Sequence, residues 1–153
     1  MSGGNITNKA LRILIADGQH FYRLKIERAL NQLGYYRIAP IHRLDEVLSA
    51  VDFGDTPLDV LIINAALAHS VKFDLLWFIR DNPQIRHVLI YGQSERASPA
   101  LAWCHAPNVL TSTAPLPDLQ ALEAFMRKVD GKAGWDNQGN GSNKPSGAKH
   151  ITF

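Results

Sequence analysis

Leu58 to Asn64 reads LDVLIIN, and His87 to Gly92 reads HVLIYG. Both are aliphatic runs of strand length that would put apolar side chains on both of their sides. A strand of that kind belongs in the middle of a sheet covered on each face, which is the setting of parallel sheets in α/β folds. Working outward, LRILIAD (Leu11 to Asp17) is a third such run. It is followed by Ile26, Ala29, Leu30 and Leu33, spaced along one helical face that Gly34 can end. YYRIAPI (Tyr35 to Ile41) precedes Leu44, Val47, Leu48 and Val51 at helical spacing. A helix carrying Leu75, Leu76, Phe78 and Ile79 follows LDVLIIN, and a shorter one near Pro99 to Cys104 follows HVLIYG. The run NVLTS and a last helix with Leu119, Leu122, Met126 and Val129 complete the series. Five alternating strand and helix units predict a doubly wound five-stranded parallel sheet with right-handed crossovers.

The chain has 153 residues, of which 46% are hydrophobic and 20% charged, a balance that suits one soluble domain with one sizeable core. No apolar stretch is long enough to span a bilayer, and MSGGNITNKA at the start has no apolar signal region. A cytoplasmic location is the expectation. Cys104 is the single cysteine, so an intramolecular disulfide and a cysteine-based zinc site are excluded. The six histidines, His20, His42, His69, His87, His105 and His150, show no metal-ligand spacing. No metal or cofactor is expected.

The net charge of +2 comes from the end of the chain, where Lys132, Lys144 and Lys149 face one acid, Asp136. Before Gly131 basic and acidic side chains balance, so nothing biases the folded part toward phosphate backbones. From Gly131, GKAGWDNQGNGSNKPSGAK holds five of the 11 glycines and few aliphatic residues. Such a segment buries too little apolar area to offset its ordering entropy. The expected organisation is a flexible start over 1–10, one domain over 11–130 and a flexible tail over 131–153.

In doubly wound folds ligands bind beyond the carboxyl ends of the strands. The residues there are Asp17 and Gly18, Asn64 to Ala66, Gly92 and Gln93, and Thr111 to Thr113. No glycine-rich phosphate loop follows a strand, and Ser94, Ser98 and Ser112 lack a nucleophile elbow, so no catalytic residue is expected. Asp17 could serve only to cap the next helix, and Asn64 could bridge loop backbones with its neutral amide. Trp77 and Phe78 are adjacent on one helix and cannot both face the core.

The strings ILIADGQHFYRLKIERALNQLGY, PLDVLIINAAL, HVLIYGQS and NVLTSTAPLPDLQAL, in this order and spacing, resemble a response-regulator receiver domain over Leu11 to Val129. The resemblance implies the flavodoxin-like (βα)5 arrangement. It also implies a phosphorylatable aspartate after the third strand, an acidic pair after the first that holds magnesium, a hydroxyl after the fourth and a lysine after the fifth. This sequence departs at nearly every position. Asp17 keeps the first acid, but Gly18 stands for the second, Asn64 for the phosphoacceptor, Gly92 for the hydroxyl and Ser112 for the lysine. A neutral amide is a poor nucleophile, and a lone carboxylate is a poor magnesium site. Val109 lies where an aromatic signalling side chain is common in the family.

The expected function is therefore that of a degenerate, stand-alone pseudo-receiver in a two-component-type pathway, acting by protein–protein contact without phosphorylation. By the same resemblance its docking surface comprises the helix near Pro99 to Cys104, the fifth strand and the last helix, including Trp103, His105, Leu116 and Asp118. A sensor kinase, an effector enzyme of diguanylate-cyclase type, a transcription regulator or a second copy of the chain are the partners this implies; nucleic acid and membrane are not expected. Two alternatives stand beside it. One is a phosphoacceptor of altered chemistry using Asp17 or Asp59. The other is a small-molecule or anion sensor whose vacated pocket lies between Asp17, Asn64, Gly92 and Ser112.

Overall fold

The structure, a computed structural model, describes residues 10–52, 57–69, 75–92 and 108–138. Five strands, β1 (Ile13–Ala16), β2 (Ile38–Ile41), β3 (Leu58–Asn64), β4 (Ile85–Tyr91) and β5 (Val109–Thr111), form one all-parallel sheet in the order β2-β1-β3-β4-β5. The helices are α1 (His20–Gln32), α2 (Leu44–Asp52), α3 (Ala65–His69), α4 (Leu75–Asp81) and α5 (Leu119–Gln138). This is the doubly wound fold that the alternating pattern predicts, in the flavodoxin-like arrangement that the resemblance implies. The helix expected near Pro99 to Cys104 lies outside the described residues.

The period of two along each strand divides the core into two layers. Leu14, Ala16, Leu61, Ile63, Val88 and Ile90 pack with Leu44 and Val47 of α2, Ala65 and Ala68 of α3, and Leu75, Phe78 and Ile79 of α4. Ile13, Ile15, Val60, Ile62, Leu89 and Tyr91 point the other way, toward Ile26 and Leu30 of α1 and Leu122, Phe125, Met126 and Val129 of α5. β3 and β4 are buried on both faces, as their continuous apolar runs require. Truncating Leu61 or Ile62, both fully buried, to alanine would cost about 2–5 kcal/mol by lost burial plus the cavity left behind. Of the adjacent aromatics on α4, Phe78 is buried and Trp77 is exposed.

α1 ends in a Schellman turn: Tyr35 N–H bonds Leu30 O at 2.9 Å, Gly34 N–H bonds Asn31 O at 3.0 Å, and Gly34 takes φ 100°. Tyr35 is consumed by this turn and sits buried against the α1/α5 layer. β2 accordingly begins at Ile38, three residues after the start of the run that predicts it.

α5 differs from expectation at its far end. The helix runs through Gly131 to Gln138, past the last core residue, Val129, and past the boundary at 130. A helix already anchored by its apolar stripe adds residues without a new nucleation cost, and glycine weakens such an extension without breaking it as proline would. The remaining tail residues, 139–153, lie outside the described set.

A closed polar row at the carboxyl edge of the sheet

Asp17 follows β1, Asn64 ends β3 and Tyr91 ends β4. Asn64 and Tyr91 are register partners, and Ala16 is paired with Ile63, so the strand after each step brings these three residues side by side. All three are buried. Tyr91 shares the face of Leu89, and Asp17 and Asn64 continue the alternation of Ile13, Ile15 and Val60, Ile62. The row therefore lies on the α1/α5 side, at the end of the sheet where this fold binds ligands.

The Asp17 carboxylate is the hub. Its Oδ1 accepts the Gln19 N–H at 2.8 Å, and its Oδ2 accepts both the Asn64 Nδ2–H at 3.0 Å and the Tyr91 hydroxyl. Gln19 is the N-cap residue of α1 and makes no side-chain cap itself. Asp17 thus organises the entry into α1 from outside the helix while satisfying two side chains across the sheet. None of the carboxylate's partners among the described residues is a cation. Arg23 comes near but donates at 2.8 Å to the Asp17 backbone carbonyl. Three donors from neutral groups carry the desolvation that a buried carboxylate must otherwise meet with a charge.

Asn64 is used at both ends of its amide. Nδ2 donates to Asp17, and Oδ1 accepts the Ala66 N–H at 2.9 Å, closing an Asx turn that starts α3 directly after β3. The residues that follow, Ala65–His69, form this short helix. The conformation of Gly92 disfavours a hydroxyl residue directly after β4. Its φ is +70°, and a Cβ built on it would lie 2.8 Å from Asn64 Oδ1. Its N–H bonds Ala114 O at 2.8 Å, tying the end of β4 to the loop after β5. The Ser112 hydroxyl accepts the Ala114 N–H at 3.1 Å, so it shapes that same loop and presents no cation. Gly18 is exposed, and the nearest atom to a Cβ there is Leu67 Cδ1 at 4.0 Å.

Of the strand-end residues singled out by sequence, Gln93 lies outside the described residues, and the five pocket positions, Asp17, Gly18, Asn64, Gly92 and Ser112, are brought to this edge. Asp59 is not: it stands near the start of β3, where its Oδ2 accepts the Arg12 N–H at 2.9 Å and Oδ1 lies 3.9 Å from Arg86. Of the predicted docking residues, Asp118 caps α5 by accepting the Ala121 N–H at 2.8 Å, and Leu116 is partly buried against the α1/α5 layer. Trp103 and His105 fall outside the described residues. Tyr91 is the member of the row that sequence reasoning missed. The signal was present in HVLIYG, since a phenol at a position that alternation turns inward needs a partner for its hydroxyl. Burial, followed by the hydrogen bond and charge of Asp17, pushes the Tyr91 phenol well above its ordinary value near 10.0. Among the described residues no cluster of three or more metal-ligating side chains occurs, and no helix is long and apolar enough to cross a membrane.

Fold and site together define a five-stranded, flavodoxin-like parallel α/β domain whose strand-end polar groups are bonded to one another. No protein-family model matches the sequence, and no curated protein matches it. Among solved structures, a protein from Burkholderia pseudomallei described as pilus assembly-related is similar at a TM-score of 0.58. The likeness covers 86% of this chain and 96% of that chain at 17% identity, and at that identity it concerns the fold.

Proposed function

We propose that this protein is a receiver-like docking module, without enzymatic activity, that works in the cytoplasm independently of aspartyl phosphorylation. The observation that carries the reading is the closed hydrogen-bond set of Asp17. In a phosphoacceptor site the carboxylates after the first and third strands would face a divalent cation and an incoming phosphoryl group. Here the Asn64 amide and the Tyr91 hydroxyl take up the Asp17 oxygen instead. The amide has no charge to attract a metal, and its oxygen is already bonded to the Ala66 N–H.

The same arrangement weighs against an anion or metabolite pocket between Asp17, Asn64, Gly92 and Ser112. The Asp17 and Asn64 side chains already bond each other, the Ser112 hydroxyl accepts the Ala114 N–H, and the only ionisable group of the four is an acid. Partner choice is then left to the surface of the domain, with a sensor kinase, an effector enzyme, a transcription regulator or a second copy as candidates. The description of the Burkholderia protein suggests pilus assembly as one process in which to seek that partner.

The test is intact-mass spectrometry after incubation with acetyl phosphate and magnesium, beside a functional receiver as control. The expected result is an unchanged mass. A gain of one phosphoryl group, abolished in Asp17→Asn, would replace this reading with a phosphoacceptor of altered chemistry.

A further inference from the structure

In a parallel sheet, successive residues of an edge strand alternate between bonding the neighbouring strand and facing outward. In β2 the inward residues are fixed by Ile13 N–H bonding Arg37 O at 2.9 Å and Asp17 N–H bonding Ile41 O at 3.0 Å. With the register Leu14 to Ala39 between them, residues 37, 39 and 41 face β1. Ile38 and Pro40 therefore present their backbone groups to the outside. Pro40 has no N–H, and the Ile38 N–H is turned back onto Tyr36 O at 3.0 Å. The outer edge of β2 offers carbonyl oxygens and no available donor.

We infer that β2 is closed to strand addition, so that neither a second copy of this chain nor an extended segment of a partner can extend the sheet at this edge. An added strand must both give and take backbone hydrogen bonds. Against β2 it could donate to Ile38 and Pro40 carbonyls but would leave its own carbonyls unsatisfied in the seam. The closure matters because the strand is otherwise inviting. It is apolar throughout (IAPI), with Ala39 and Pro40 exposed and Ile38 and Ile41 partly so. Without a charged side chain in the strand, backbone chemistry alone protects it. The inference does not depend on the receiver-like reading, and it narrows that reading by removing the β2 edge from the surfaces to which a partner strand could add.

Restoring the missing donor should open the edge. Pro40→Val and Pro40→Ala each regain an outward N–H, whereas Ala39→Val adds apolar surface beside it without changing the outward donors. Analytical ultracentrifugation over a concentration series should show the parent and Ala39→Val at one sedimentation coefficient. Both Pro40 variants should shift to higher mass with concentration, the weight-average mass at least doubling for Pro40→Val. Equal association of Ala39→Val and Pro40→Val would assign the effect to apolar surface and overturn the inference, as would Pro40 variants that sediment like the parent. Amide exchange on the unaltered chain gives an independent reading should the variants fold poorly. The Ile38 amide should exchange slowly because of its bond to Tyr36, and exchange at the unprotected rate would show the donor to be available.

Discussion

Gly92 and Asn64 limit each other: a Cβ at Gly92 would stand 2.8 Å from Asn64 Oδ1, on a backbone with φ of +70°. Asn64 Oδ1 cannot retreat without releasing the Ala66 N–H. The hydroxyl that the family resemblance expects after the fourth strand is thus incompatible with the Asx turn at the end of the third. Gly92→Ser should lose about 2–4 kcal/mol, combining the cost of a left-handed side-chain-bearing residue with that of overpacking. Urea denaturation measures it. A loss below half a kilocalorie would show that the loop moves aside easily.

Asn64→Asp tests the same point from the other side. The substitution would put a second carboxylate oxygen about where Nδ2 now donates to Asp17 Oδ2 at 3.0 Å. Two buried carboxylates at that separation cannot both ionise without a cation. Loss of the amide donor and the unpaired charge should together cost about 3 kcal/mol at neutral pH. Acetyl phosphate with magnesium should still leave the mass unchanged, because Gly18 offers no ligand and Ser112 no cation. Phosphorylation of this single variant would mean that the acceptor chemistry is closer to intact than the row of hydrogen bonds implies.

Gly18 is a departure that the fold could reverse without strain. A Cβ there meets only Leu67 Cδ1, at 4.0 Å, and the residue is exposed. The double variant Gly18→Asp/Asn64→Asp gathers three carboxylates at the adjacent carboxyl ends of β1 and β3, a hard-oxygen set for a small divalent cation. Its thermal midpoint should rise with added magnesium by mass action, while the unaltered protein should show no such rise. A flat response in the double variant would show that the Tyr91 hydroxyl keeps Asp17 from turning to a metal.

The continuous apolar runs made the sheet readable, since only a central parallel strand tolerates side chains like those of LDVLII and HVLIY on both faces. The strand-end positions were readable for the same reason: once the strands are known, Asp17, Asn64, Gly92 and Ser112 must follow them. Tyr91 was harder to read because a tyrosine in an apolar run suits a core equally well, and only the sheet register shows its hydroxyl reaching across β3 to Asp17. The Gly92 conformation is similarly a tertiary fact, set by its bond to Ala114 and by the Asn64 side chain. The extent of α5 escaped the composition because glycine content reports the intrinsic preference of a segment, not the propagation of a helix anchored upstream.

That extension gives a stability prediction. Gly131 is helical, and nothing lies within 4 Å of a Cβ added to it. It directly follows Asp130, whose carboxylate accepts the buried Tyr35 hydroxyl and so ties α5 to the turn after α1. Gly131→Ala should stabilise the protein by up to about 1 kcal/mol through backbone entropy and helix propensity. Circular dichroism should show a thermal midpoint higher by a few degrees and a slightly larger helical signal. No change in either would place the end of the cooperative unit before Gly131.

Two buried phenols should dominate how stability falls at alkaline pH. Burial is the largest cause raising both Tyr35 and Tyr91, and hydrogen bonds and charge from Asp130 and Asp17 raise them further. Each phenol holds its proton more tightly folded than unfolded, so its contribution is complete below the unfolded value near 10.0 and is lost as pH rises above it. Per phenol the unfolding free energy should fall by about 1.4 kcal/mol for each pH unit well above that value. Tyr91→Phe should cost about 1.5–3 kcal/mol at neutral pH, because Asp17 loses a charge-assisted donor while the ring stays buried. It should also remove one phenol's share of the alkaline slope, and Tyr35→Phe/Tyr91→Phe should remove both. Urea midpoints at pH 8, 10 and 11 separate these terms. A Tyr91→Phe protein with the parent's alkaline slope would mean that the phenol is not bonded to a carboxylate in the folded state.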